Sequence, residues 1–79
     1  MAGFDKRVFS NRLAALRSDR GWSQEDLARE SGVSLNAIAR YEAETNCPSL
    51  ETAFKLAEAL GCSLDVLSGR VGLAVGTVR

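Results

Sequence analysis

The sequence predicts an all-α fold: a compact five-helix bundle over residues 1–68, followed by an extended C-terminal tail over residues 69–79. Three observations carry that expectation. Apolar residues recur at helical spacing, serines stand where helices would begin and glycines where they would end, and the composition changes after residue 68. Hydrophobic residues at 46% and charged residues at 25% are ordinary for a soluble globular chain. A domain near this size buries only about 60% of the surface its unfolded chain exposes, so its stability is marginal and oligomerisation would help it.

The first helix is expected over roughly Asp5 to Asp19, where Phe9, Leu13 and Leu16 fall at i, i+4 and i+7 and form a core-facing stripe. Lys6, Arg7, Arg12 and Arg20 lie mostly off that stripe. They suit either a solvated face or phosphate contact from a helix flanking a duplex. Phe4 and Val8 are apolar residues beside the stripe, available to the tail or to a second subunit. Gly21 and Trp22 close this helix.

The next stretch, Ser23 to Glu42, organises the chain. Ser23 can accept from the orphan N–H groups of the following turn, and Glu25 and Asp26 place negative charge at the positive end of the helix dipole. Gly32 supplies the left-handed conformation in which helices often end, and Ser34 can cap a second helix two residues later. Leu27, Val33, Ile38 and Tyr41 are the apolar anchors, and Ala28 is small enough for close helix approach. Two short helices joined by a three-residue turn make a helix-turn-helix.

Beyond Glu42, Ala43 to Cys47 form a loop ended by Pro48, which biases its predecessor toward extended geometry. A fourth helix then begins at Ser49, with Leu50, Ala53, Phe54, Ala57 and Leu60 at helical spacing, and Gly61 stops it. Ser63 restarts a short fifth helix carrying Leu64 and Leu67. In the tail, Val71, Leu73 and Val75 alternate with glycine and alanine, a pattern that favours an extended arm for dimerisation.

Charge and composition narrow the function. The net charge is zero, yet residues 1–20 hold five basic residues against two acids, a balance of +3, and residues 21–48 a balance of −3. Any grip on nucleic acid is therefore local and modest. Histidine is absent, and Cys47 and Cys62 have no companion ligands, so no metal, cofactor or catalytic group is expected. Cys62 reads as a core thiol and Cys47 as a loop thiol. No apolar run reaches membrane-spanning length, and the N-terminal residues do not have the pattern of a signal peptide, which makes the cytoplasm the expected compartment and a membrane partner unexpected.

Residues 9–67 resemble the Cro and lambda-repressor type helix-turn-helix domain, the Xre family. The resemblance rests on Arg17, on Ser23-Gln24-Glu25-Asp26-Leu27-Ala28, on Gly32-Val33-Ser34 with Ile38, and on Glu42. It continues in Pro48-Ser49-Leu50-Glu51-Thr52, in Leu56-Ala57-Glu58-Ala59-Leu60-Gly61 and in Ser63-Leu64-Asp65. It implies a regulator of double-stranded DNA, expected to be a repressor, acting as a homodimer on a pseudo-palindromic operator. The helix near Ser34–Glu42 would lie in the major groove. Arg40 would then pair with guanine, Asn36 with adenine and Leu35 with a thymine methyl, and Ser34 would bond a phosphate or a base. Gln24 matches a position that contacts phosphate and braces that helix, with Ser23 beside it as a further phosphate candidate, and Arg17 and Glu42 match a pair that sets its angle through a partly buried salt bridge.

The chain departs from the pattern at Glu44, where family members commonly have glycine, and at Thr45 and Asn46, where many carry a basic residue. A left-handed Glu44 would cost roughly 1–2 kcal/mol, so the expectation is a longer helix or a different turn. Thr45, Asn46 and the loop N–H groups remain uncharged candidates for phosphate. The alternative to a DNA regulator is a protein-interaction module of antitoxin type, slightly favoured by the zero net charge and by the acidic residues Glu42 and Glu44.

Overall fold

The computed structural model describes residues 5–68. They form five helices: α1 Lys6–Asp19, α2 Gln24–Ser31, α3 Leu35–Glu42, α4 Leu50–Leu60 and α5 Leu64–Ser68, with no strand among the described residues. The tail with Val71, Leu73 and Val75, and Phe4 at the other end, lie outside the described residues.

Serine capping sets the helix starts. The side chains of Ser23, Ser34 and Ser49 accept from the N–H groups of Asp26, Ala37 and Thr52, and Asp26 returns the contact to the Ser23 N–H in a capping box. Asp5 caps α1 in the same manner through the Arg7 N–H. Between α2 and α3, Gly32 at φ 77° turns the chain and Val33 drops into the core.

Three helices end in one closure. After α1, α3 and α4 a left-handed residue follows, and an N–H five residues on returns to the last turn: Trp22 to Arg17, Thr45 to Arg40 and Cys62 to Ala57. The left-handed residue is Gly21 after α1 and Gly61 after α4, but it is Glu44, at φ 65°, after α3. The expectation that α3 would lengthen or turn differently is therefore corrected. The paired bonds from the Glu44 N–H to the Tyr41 carbonyl and from the Thr45 N–H to the Arg40 carbonyl, with the Thr45 hydroxyl also donating to Arg40, satisfy the helix end and hold the strained conformation in place.

α1 packs on α3 and α5, α2 on α3 and α4, and α4 on α5. The core they enclose contains Phe9, Leu13, Leu27, Val33, Ile38, Tyr41, Leu56, Ala57, Leu60 and Leu67, with Phe9 edge-on to Tyr41 at 5.9 Å between ring centres. In α4 the buried set is Ala53, Leu56, Ala57 and Leu60, which occupies an arc of roughly 100° at the helical period. Leu50 and Phe54, expected in this stripe, fall just beyond its edge and are 75% and 57% exposed. Cys62 packs against the core and Cys47 lies exposed in the α3–α4 loop.

Candidate functional site

α3 has two unlike faces. Its inner face is fixed by Ile38, fully buried, by Tyr41 against Phe9, and by a polar network at its last residue, Glu42. Arg17 reaches from α1 and grips the Glu42 carboxylate with two bonds, Nε to Oε2 at 2.8 Å and Nη2 to Oε1 at 2.9 Å. Gln24, the first residue of α2, donates Nε2 to the same Oε1 at 2.9 Å. The remaining Arg17 nitrogen, Nη1, donates to the Trp22 carbonyl at 2.7 Å.

Both charged side chains of that pair are largely out of water, at 18% exposure for Arg17 and 9% for Glu42. The hydrogen bonds it donates to Glu42 raise the Arg17 guanidinium above its ordinary value against the opposing pull of burial. The guanidinium is charged at any pH a protein tolerates, and the carboxylate is held between three helices.

Ser10 completes the attachment and was not singled out by sequence reasoning. It is buried, and its hydroxyl donates to the Glu42 backbone carbonyl at 2.7 Å. Ser10 and Arg17 are seven residues apart on α1, two helical turns, so one face of α1 holds both the backbone and the side chain of Glu42. The second feature missed is Arg20, which donates to the Leu60 carbonyl at the end of α4 and lies 5.4 Å from the Trp22 ring centre, tying the α1–α2 corner to α4.

The outer face of α3 carries Leu35, 40% exposed, with Asn36 and Arg40, both exposed. Asn36 and Arg40 stand one turn apart. Neither side chain makes a hydrogen bond or ion pair among the described residues. Ser34, at the start of this helix, is exposed and uses its side chain as the cap.

The structure thus gathers Ser34, Leu35, Asn36 and Arg40 on one helix and collects Arg17, Gln24 and Glu42 beneath it. Other candidates separate. Ser23 is committed to the capping box, and the Asp26 carboxylate that answers it also binds Arg29. The backbone N–H of Ser23 and, second, the Arg29 side chain lower the Asp26 carboxyl below its ordinary value. Thr45 closes the α3 terminus, and Asn46 is exposed in the following loop. Arg12 donates Nη1 to the Val66 carbonyl of α5 at 3.2 Å, which places it about 160° round α1 from Ser10 and away from the Glu42 attachment.

The sequence profile of the HTH_3 helix-turn-helix family matches residues 13–67. A cryptic phage CTXphi transcriptional repressor, RstR, from Vibrio cholerae is 39% identical over 59 residues, covering 75% of this chain and 53% of that protein. The antitoxin HipB of Escherichia coli is 28% identical over 61 residues, covering 77% of this chain and 65% of its own. Among solved structures, the restriction-modification controller protein C.AhdI from Aeromonas hydrophila superposes with a TM-score of 0.76 at 36% identity, over 80% of this chain and 96% of that one. The chain spans about half the length of the RstR repressors it matches.

Proposed function

The chain belongs to the HTH_3 helix-turn-helix family, and from that membership we propose that it is a sequence-specific DNA-binding transcription regulator, a repressor, which acts as a homodimer on a pseudo-palindromic operator in the cytoplasm. Residues 1–68 are the DNA-binding domain in this reading, and α3 enters the major groove. The observation that carries this reading is the contrast between the two faces of α3. An inward face held by Arg17, Gln24 and Ser10 presents an outward face whose Asn36 and Arg40 side chains make no hydrogen bond or ion pair among the described residues.

Arg40 has the planar donor pair that matches guanine O6 and N7, Asn36 the donor and acceptor that match adenine N6 and N7, and Leu35 an apolar tip for a thymine methyl. Ser34, Ser23 and Gln24 lie at helix starts, and Thr45 and Asn46 in the following loop, where uncharged phosphate contacts supplement the few basic ones. Because those contacts are few, binding falls only shallowly with salt.

The test is selection of bound duplexes from a random pool, followed by anisotropy titration of the winner with wild type and Arg40→Ala. Enrichment of an inverted repeat with half-sites roughly 34–36 Å apart, and a loss of about 10-fold or more at one guanine position for the variant, supports the reading. A folded protein that enriches no sequence would sink it.

A second reading, a partner-binding module of antitoxin type, is favoured by the similarity to HipB. Glu42 no longer contributes to it, because its carboxylate is taken up by Arg17 and Gln24; exposed Glu44 remains. Capture of a single stoichiometric protein in place of a selected duplex would favour this reading.

A further inference from the structure

α3 ends in four carbonyls that have no partner further along the helix, and the chain that follows answers three of them. The Ala43 N–H donates to the Ala39 carbonyl, the Thr45 N–H to the Arg40 carbonyl and the Glu44 N–H to the Tyr41 carbonyl. The fourth, on Glu42, is answered from another helix, by the Ser10 hydroxyl of α1 at 2.7 Å. Of the serines among the described residues only Ser10 is buried, at 3% exposure. Its hydroxyl is withdrawn from water and gives its single donor to the end of α3.

Every hydrogen bond that joins α3 to another helix among the described residues ends on Glu42, from Ser10 on its carbonyl and from Arg17 and Gln24 on its carboxylate. The carbonyl points along the axis of α3, whereas the carboxylate lies off it. Either attachment alone leaves the helix able to pivot, and the two together fix its pitch. Ahead of Glu42 the chain is held by packing, through buried Val33 and Ile38, and packing is non-directional.

Distance from the fixed end decides which contacts depend on it. At about 1.5 Å per residue, Asn36 lies about 9 Å along the axis from Glu42 and Arg40 about 3 Å. A pivot of roughly 6° carries Asn36 by about 1 Å and Arg40 by about 0.3 Å, against a tolerance of about 0.5 Å for a working site. Leu35 moves with Asn36.

We propose that Ser10 is a positioning residue for recognition: its bond to the Glu42 carbonyl fixes the pitch of α3, and with it the aim of Asn36 and Leu35 at the far end of the helix. Arg40, beside the fixed end, keeps its aim without Ser10. The proposal rests on the reading above, in which these side chains meet base pairs.

The experiment uses the full chain and the duplex that selection enriches, together with duplexes that each change one of its base pairs and one unrelated duplex. Anisotropy titrations compare wild type, Asn36→Ala, Arg40→Ala and Ser10→Ala, with circular dichroism melts setting a temperature at which all are folded. Asn36→Ala and Arg40→Ala assign a base pair to each residue, as the pair at which discrimination is lost. Ser10→Ala is expected to lose about fivefold or more of the discrimination at the Asn36 pair and less than about twofold at the Arg40 pair, with affinity for the unrelated duplex unchanged within about twofold. Ser10→Cys, close in size and a weaker donor, should give the same pattern to a smaller extent, and it stands in if the alanine variant does not fold.

A serine that served the fold alone would lower the melting temperature and leave every ratio between duplexes as in wild type. That result overturns the proposal, as does an equal loss at both base pairs or an Asn36→Ala variant that loses discrimination nowhere. A wild type that enriches no duplex removes the reading and the proposal together. A wild type that discriminates, with Ser10→Ala discriminating identically, removes the proposal and leaves the reading.

Discussion

Replacing Glu42 by alanine removes the common acceptor of three helices, and its cost can be worked from the contacts. The carboxylate accepts two bonds from Arg17 and one from Gln24 at 2.8–2.9 Å, in a site where both charged partners are largely out of water. Truncation leaves the Arg17 guanidinium with only the Trp22 carbonyl as a hydrogen-bond partner among the described residues and leaves the Gln24 amide without its acceptor. Removing one side of such a buried pair costs about 3–5 kcal/mol, mostly the penalty of the stranded charge. A domain of 79 residues has a total stability of roughly 4–12 kcal/mol, so the loss takes a large share of it. The melting temperature should fall by roughly 12 °C or more.

Circular dichroism melts and urea titration of wild type, Glu42→Ala, Arg17→Ala and the double variant measure this. The double variant is expected to cost less than the sum of the singles by about 1–3 kcal/mol, because once both charges are gone neither is stranded. A Glu42→Ala loss below about 1 kcal/mol would refute the reasoning, since that is the range of an exposed pair screened by water.

The remaining predictions concern single groups. Glu44→Gly should stabilise the fold by about 0.5–1 kcal/mol, as relief of the left-handed penalty exceeds the added freedom of the unfolded chain; an unchanged or lower melting temperature counts against it. Asp26, whose carboxyl is lowered by the Ser23 N–H and then by Arg29, contributes stability that is fully present above the unfolded value of about 3.9 and is lost as pH falls through the lower folded value. Asp26→Asn should therefore flatten the stability curve in that acid window and leave its slope near neutral pH unchanged. Burial raises the Cys62 thiol, so a thiol reagent at mildly alkaline pH should modify exposed Cys47 first, and mass spectrometry after partial labelling and digestion should find one adduct there; equal rates would contradict the packing of Cys62 against the core.

Most of the fold was legible because its signals are local. Serine caps and glycine stops act within a few residues of the helix ends they set, and α2, α3 and α4 begin after Ser23, Ser34 and Ser49 while α1, α2 and α4 end at Gly21, Gly32 and Gly61. Glu44 was misread because a propensity argument weighs one residue alone, whereas two backbone bonds and the Thr45 hydroxyl fix that turn whichever residue occupies it. Leu50 and Phe54 were misread for a different reason. Apolar residues at helical spacing identify a face, but only the position of α5 decides how far round α4 that face is covered. Ser10 escaped notice because its acceptor is a backbone carbonyl 32 residues away, which no local pattern encodes.

The candidate site divides along the same line, and the division has a consequence for how recognition could change. Ser34, Leu35, Asn36 and Arg40 project from a helix whose position is set by other residues on other elements, so their exchange alters what is touched and not where the helix lies. Substitutions at such exposed positions ordinarily move stability by no more than about 0.5 kcal/mol. Arg17, Ser10, Gln24 and Glu42 behave oppositely. Each holds the helix through a contact that also holds the fold, so a change in the angle of α3 costs stability there, by the amount worked out for Glu42 at the charged pair and by about 1–3 kcal/mol at Ser10 and Gln24, which each give one hydrogen bond. New base preferences are therefore open to single substitutions on the outer face, while the docking angle is tied to the stability of the fold.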